Sequence, residues 1–212
     1  TIWEFVSVIY SRLLAFNNKH LGDSKVFCMS PWIQLHAQTD GKISPCCMSA
    51  VREGNEIGDL KKNADLTAAW NSPNMRQLRL NMLNGVASSI CSNCYKHEEL
   101  GKFSERMQYN KDFKRYYNRV VSTLSDGTVK NGVVPVIDIR FSNKCNYKCR
   151  ICNSDYSSLW YEEELKLGKN LSGQPKEKWV AEEEEKFWSS FTRLLPYVKR
   201  LHFAGGEPLF MD

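Results

Sequence analysis

The segment Cys145-Asn-Tyr-Lys-Cys149-Arg-Ile-Cys152 sets three cysteines in a C-x3-C-x2-C array, directly after the apolar run Val133 to Phe141. Three thiolates on one short loop can hold three irons of a cubane [4Fe–4S] cluster, whereas ferredoxin sites supply four cysteines and close the cluster off. A three-cysteine loop therefore leaves one iron open to a small molecule. Short cysteine arrays also bind zinc, so the spacing by itself leaves both metals open. Whichever metal binds, the fold must deliver this loop from the end of a strand and keep its thiols reduced. Eight cysteines in 212 residues, with no secretory leader, point to metal ligation in a reducing, cytoplasmic compartment rather than a disulfide framework.

A second constellation lies upstream. Cys28 is followed by twelve residues, Gly41, four more residues and Cys46, and Cys91-Ser-Asn-Cys94 comes later. Four thiolates from two parts of the chain suit either a closed [4Fe–4S] cluster or a four-thiolate zinc site. Cys47, adjacent to Cys46, could replace it; Cys46 satisfies the glycine spacing, and Cys47 reads as a small buried thiol. His36 and His97 lie near these cysteines and read as surface or hydrogen-bonded side chains.

The local patterns place these motifs on elements. Residues 1–25 form an arm whose apolar start, Ile2 to Phe16, carries Glu4 and Arg12 and is no spanning helix. Trp32 to Gln38 alternates as a half-buried strand, Asp40-Gly41 is a hairpin turn, and Lys42 to Cys46 returns. Ser72-Pro73 opens a helix with Met75, Leu78 and Met82 on one face and Gly85 as its C-terminal glycine. Residues 95–120 read as a charged, aromatic helical connector, completing a first domain over 26–120. Residues 121–132, with Asp126-Gly127 and Asn131-Gly132, read as a linker. Over 133–212 the pattern is strand, cysteine loop, helix, strand. Ile137, Ile139 and Phe141 share one strand face and Val136, Asp138 and Arg140 the other. Glu177 to Leu195 aligns Val180, Phe187, Phe191 and Leu194 along a helical stripe, and Val198 to Phe203 is the next strand. Trp179, Phe187, Trp188 and Phe191 read as core packing. Strand–helix–strand is a βαβ unit with parallel strands.

About fifty residues beyond the cysteine loop comes Leu201-His-Phe-Ala-Gly205-Gly206-Glu207-Pro208. Together the two motifs resemble the cluster loop and Gly-Gly-Glu motif of the radical S-adenosylmethionine (radical SAM) enzymes. Cys28-Met-Ser-Pro-Trp32, Asp40-Gly41-Lys-Ile-Ser-Pro-Cys46-Cys47, Ala69-Trp70-Asn-Ser, Met75-Arg-Gln-Leu-Arg79 and Cys91-Ser-Asn-Cys94 resemble the SPASM/twitch auxiliary-cluster domain of such enzymes. No cysteine intervenes between Cys94 and Cys145, which makes the one-cluster twitch form the closer match. The resemblance implies an α/β fold: the start of a partial (β/α)6 radical SAM barrel, as its βαβ unit, preceded by a small α+β cysteine-rich domain. The family usually puts the auxiliary domain after the barrel, and often an aromatic residue where Ile151 stands. The start at Thr1 and the end soon after Pro208 lead us to expect a piece of a longer protein.

The same resemblance implies roles. Cys145, Cys149 and Cys152 would bind three irons while SAM chelates the fourth. Gly205, Gly206 and Glu207 would bind the SAM methionine amine, and Cys28, Cys46, Cys91 and Cys94 would hold an auxiliary [4Fe–4S] cluster. Reductive cleavage of SAM would give a 5′-deoxyadenosyl radical that modifies a peptide or protein, with a flavodoxin-type reductase as electron donor. Asp138, Arg140 and His202 would line the barrel. The competing readings are a non-catalytic zinc- or iron-sulfur-binding module and a pure electron carrier; an open iron argues against the carrier. A net charge of +5 spread over the chain, without a basic stripe, argues against nucleic acid, and no membrane partner is expected.

Overall fold

The computed structural model describes residues 21, 23–50, 54–130, 133–180 and 184–210. The N-terminal arm lies almost wholly outside them. The chain divides into two compact units. One takes in residues up to Ile33, Met48–Asn55 and Asn71–Gly132; the other takes in Gln34–Cys47, Glu56–Trp70 and the chain from Val133 onward.

The second unit is built on a five-stranded mixed sheet: β1 (Gln34–Ala37), β2 (Lys42–Ser44), β3 (Gly58–Asp59), β4 (Val136–Arg140) and β5 (Arg200–Ala204), in the order β3-β2-β1-β4-β5. The expected hairpin forms: β1 and β2 are antiparallel, with Gly41 at φ +87° in the turn. β1 also pairs in parallel with β4, and β4 in parallel with β5, as the βαβ reading requires. Central placement corrects the half-buried expectation for β1. Its four residues are all buried, Gln34 and His36 included, so both faces of the strand are covered. β2 stops at Ser44 rather than Cys46, and β5 begins at Arg200 rather than Val198.

The helix expected over 177–195 is observed as Glu184–Leu194. Phe187, Phe191 and Leu194 are buried along it as read, and the exposed Glu184 and Glu185 form its solvated face. Val180 is not on this helix. Its N–H donates to Phe141 O at 2.7 Å and Trp179 bridges Ser142, so an extended segment buries Val180 against the end of β4. Phe141 meets Phe187 edge-on at 6.2 Å and tilts against Phe203 at 5.2 Å, which identifies the Ile137–Ile139–Phe141 face as the one the helix covers. Trp179 and Trp188 stay 40% and 46% exposed, so they border this core rather than fill it. A shorter helix, Tyr161–Lys166, precedes it.

In the first unit, α1 (Pro73–Leu83) starts at Ser72, whose hydroxyl accepts from Met75 N at 3.3 Å. Met75, Leu78 and Met82 are buried as expected, and Gly85 takes φ +69° past the C-cap. The connector is three short helices rather than one: α2 (Ser92–Glu99), α3 (Glu105–Asp112) and α4 (Tyr117–Val121). Gly101 at φ +69° and Ser104, which caps α3 by accepting from Met107 N, separate the first two. Phe27 packs against Trp32 at 5.5 Å and edge-on against Tyr117 at 5.8 Å. The turn around Gly127 packs on α1: a Cβ there would lie 2.4 Å from Arg76 O, and the buried Arg79 donates to Gly127 O and Pro31 O. Burial holds the Arg79 guanidinium down to about 9.

Candidate functional site

The three-cysteine loop leaves β4 through Ser142 and Asn143, both fully buried. Asn143 uses every polar group it has. Its Nδ2 donates to Ser154 O (2.8 Å) and Lys176 O (2.9 Å), and its Oδ1 accepts from Lys178 N (2.7 Å). Its own N–H donates to Lys178 O, and its O accepts from Ser158 N. A loop with no regular ladder must satisfy its backbone through such side chains. Sequence reasoning missed Asn143; its position just before the first cysteine, at a strand end, was the available signal.

The loop then presents its thiols outward. Cys149 is exposed, Cys145 and Cys152 are half-buried, and the Ile151 side chain lies open to solvent. Tyr147 N donates to Cys145 Sγ at 3.3 Å, and Trp160 Nε1 donates to Cys149 O at 3.0 Å. Burial pushes the Cys152 thiol up; the bond with Asn153 opposes this, and the nearby sulfurs of Cys145 and Cys149 add to it. Such a thiol is protonated until a cation offsets that repulsion.

Gly205, Gly206 and Glu207 follow β5 and are brought against the start of this loop. Gly206 N donates to Tyr156 O at 2.9 Å, and Glu207 N to Lys144 O at 3.0 Å. Both glycines have positive φ, +77° and +53°. A Cβ on Gly206 would sit 2.0 Å from Lys144 O, and one on Gly205 2.6 Å from Arg140 Cβ. No other residue fits at Gly206, so the glycine pair is a docking surface for the cysteine loop.

The upstream cysteines are held by groups the sequence reading did not name. Cys28 is buried, and Ser30 N donates to its sulfur at 3.4 Å. Asn110 of α3 spans it: its Oδ1 accepts from Met29 N (2.8 Å) and its Nδ2 donates to Phe27 O (3.0 Å). Arg106 donates to the same Phe27 O at 2.7 Å and pairs with Glu98 of α2 at 2.5 Å. Cys91 precedes α2 and the buried Cys94 lies in its first turn; burial raises the Cys94 thiol. Cys46 follows β2 and, with Cys47, is half-buried. Just beyond them, Met48 O accepts from Asn93 Nδ2 (3.0 Å) and Ala50 N donates to Ile90 O (2.8 Å), tying that stretch to the C-x2-C turn.

None of the eight cysteines is disulfide-bonded. Among the described residues, no three His, Cys, Asp or Glu side chains converge on a point that could hold a metal ion. The hydrogen bonds gather the cysteine-bearing backbones rather than the sulfurs. The donor chemistry nonetheless fits an iron-sulfur cluster: soft sulfur ligands, with a backbone N–H from the second residue on aimed at Cys28 and at Cys145. His36 is wholly buried and hydrogen-bonded, and His97 is exposed on α2. Among the described residues, no helix is long and apolar enough to cross a membrane.

No curated protein and no solved structure matches the chain. Residues 28–95 match the family model of the SPASM domain, an iron-sulfur cluster-binding domain. This stretch runs from Cys28 through the hairpin and α1 to just past Cys94, and in it the chain carries a SPASM iron-sulfur cluster-binding domain.

Proposed function

We propose that residues 133–208 belong to a radical SAM core and that the chain serves an enzyme acting on a peptide or protein, with the SPASM domain, in its one-cluster twitch form, carrying an auxiliary [4Fe–4S] cluster. The observation that carries this reading is the docking of the Gly205–Gly206–Glu207 turn on the first residues of the cysteine loop, through Glu207 N to Lys144 O and the missing Cβ of Gly206. Two motifs about fifty residues apart meet at the ends of adjacent parallel strands, where open α/β sheets collect ligands. The SPASM match supports it independently, since such domains accompany radical SAM cores.

In this reading Cys145, Cys149 and Cys152 hold three irons of a cluster, and Cys28, Cys46, Cys91 and Cys94 hold the auxiliary one. A reduced cluster held by these three cysteines would supply the electron for reductive cleavage of SAM bound at its open iron, chemistry that belongs to the cofactor. The protein's part is placement. Asn143 fixes the loop's departure from β4, the glycine pair lets backbone approach the SAM methionine amine, and Glu207 accepts hydrogen bonds from that amine. The exposed Ile151 offers apolar surface to the adenine. An external reductant, of flavodoxin type, delivers the electron.

Iron, acid-labile sulfide and zinc per chain, assayed after anaerobic reconstitution, test the reading. About eight irons and eight sulfides are expected for two [4Fe–4S] clusters. Adding SAM should then perturb the electron paramagnetic resonance of one reduced cluster. Stoichiometric zinc with little iron, in protein never exposed to oxygen, would instead establish a structural metal-binding module.

A further inference from the structure

The sheet face opposite Phe141, Phe187 and Phe203 carries a row of polar residues abreast on three adjacent strands. His36 of β1 is registered with Asp138 of β4, and Asp138 with His202 of β5, so all three share one face. His36 Nδ1 lies 3.1 Å from Asp138 Oδ2, and His202 Nδ1 lies 3.2 Å from Asp138 Oδ1. Arg140, two residues along, places Nη1 2.5 Å from His36 Nε2 and 3.7 Å from Asp138 Oδ1. Its guanidinium stacks 5.4 Å above Tyr156, whose hydroxyl donates to Gln38 Oε1 at 3.2 Å.

The row is buried at one end and open at the other. His36 and Asp138 are 0% and 4% exposed, whereas the His202 side chain is 60% exposed. Burial alone would raise the Asp138 carboxyl, but the hydrogen bond from His36, with Arg140 and His202 nearby, holds it below its usual value. Burial lowers the His36 imidazole despite Asp138 beside it, so His36 is the neutral backing of an ionised carboxylate. Asp138 Oδ1 is buried and accepts no hydrogen bond, and the His202 ring is the group that faces it, with Nδ1 at 3.2 Å. A carboxylate oxygen 3.2 Å from Nδ1 favours the ring proton on that nitrogen and leaves the Nε2 lone pair pointing away. The row ends at the glycine turn: Gly205 packs on Arg140, and Gly206 N bonds Tyr156 O.

We propose that His202, oriented by Asp138, is a proton-accepting site for a substrate bearing an O–H or N–H donor, held on this polar face beside the Gly205–Gly206 turn. The proposal rests on the reading of that turn as part of a radical SAM site. On transfer, the substrate O–H or N–H bond breaks and an N–H bond forms at Nε2. The electron pair stays on the substrate heteroatom, and Asp138 balances the charged ring. Asp138 is a positioning residue, with His36 and Arg140 behind it.

Nitrogen-15 NMR of histidine-labelled full chain tests this, because the sequence holds only four histidines and His202→Gln assigns the resonance. In wild-type protein with the ring neutral, His202 should carry its proton on Nδ1. Asp138→Asn should return it toward the Nε2–H form that free imidazole favours. Diethyl pyrocarbonate, which acylates an unprotonated ring nitrogen, should modify His202 faster than the exposed His97. A wild-type His202 in the Nε2–H form, or one slower than His97, overturns the proposal even if Asp138→Asn fails to fold. Neither measurement needs cluster or SAM, so failure here leaves the iron stoichiometry standing, and failure of cluster loading leaves the tautomer result standing.

Discussion

Gly206 and Gly85 both sit at positive φ, yet they predict different outcomes on substitution. At Gly85 nothing lies within 4 Å of where a Cβ would stand, so Gly85→Ala meets only left-handed backbone strain, about 1 kcal/mol. At Gly206 the added carbon would overlap Lys144 O, and the cysteine loop or the turn must move. We expect Gly206→Ala to cost about 3 kcal/mol in urea unfolding and to weaken SAM binding as well. Equal costs at the two glycines would show that the turn does not dock on the loop. Asn143→Ala should be nearly as severe, because it strands two buried backbone groups, Ser154 O and Lys178 N, at roughly 1 kcal/mol or more each, and frees the part-buried Lys176 O. A loss below about 1 kcal/mol would mean water replaces the amide.

Between elements, a largely buried ion pair in the first unit joins α2 to α3 through Glu98 and Arg106. Arg106 is 8% exposed and its partner 18%, and the Ser104 hydroxyl adds a hydrogen bond to the same carboxylate. Burial would raise the Glu98 carboxyl, but the bonds from Arg106 and Ser104 hold it below its ordinary value. A depressed carboxylate stabilises the fold above its unfolded pKa, and that contribution disappears as pH falls through the folded value. Glu98→Gln should therefore cost about 3 kcal/mol at pH 7 and much less at pH 3. A pH-independent deficit would point to packing instead of charge. This tie was not legible in the sequence, where 95–120 reads as one helix, because i to i+8 pairing across a glycine break leaves no periodic trace. What was legible had local causes: the Ser72 cap, the Met75–Leu78–Met82 face, the Asp40-Gly41 turn. The full burial of β1 and the extended path of Val180 depend on pairing with distant strands, which alternation over seven residues does not encode. The cysteine positions were legible as chemistry; their supports, Asn143, Asn110 and Arg106, were not, since single polar residues have no spacing to read.

For the whole molecule, the two cysteine constellations draw on different side-chain supports, Cys46 alone following β2 in the unit that also carries the three-cysteine loop, and we expect their metals to load independently. Cys145, Cys149 and Cys152 depend on Asn143 and on the Gly205–Gly206 turn, whereas Cys28 is spanned by Asn110 and Arg106 and Cys94 lies in α2. Replacing Cys145, Cys149 and Cys152 with alanine should lower bound iron from about eight to about four per chain and abolish any spectral response to SAM. Replacing Cys91 and Cys94 should also leave about four irons, but these should keep the response to SAM. The contrast matters more than either count, because only an open iron answers to added SAM. If the first variant keeps all its iron, the loop after β4 is no cluster ligand. If the second loses the SAM response while its remaining cluster survives, the auxiliary site takes part in binding, and the division of labour between the two must be redrawn.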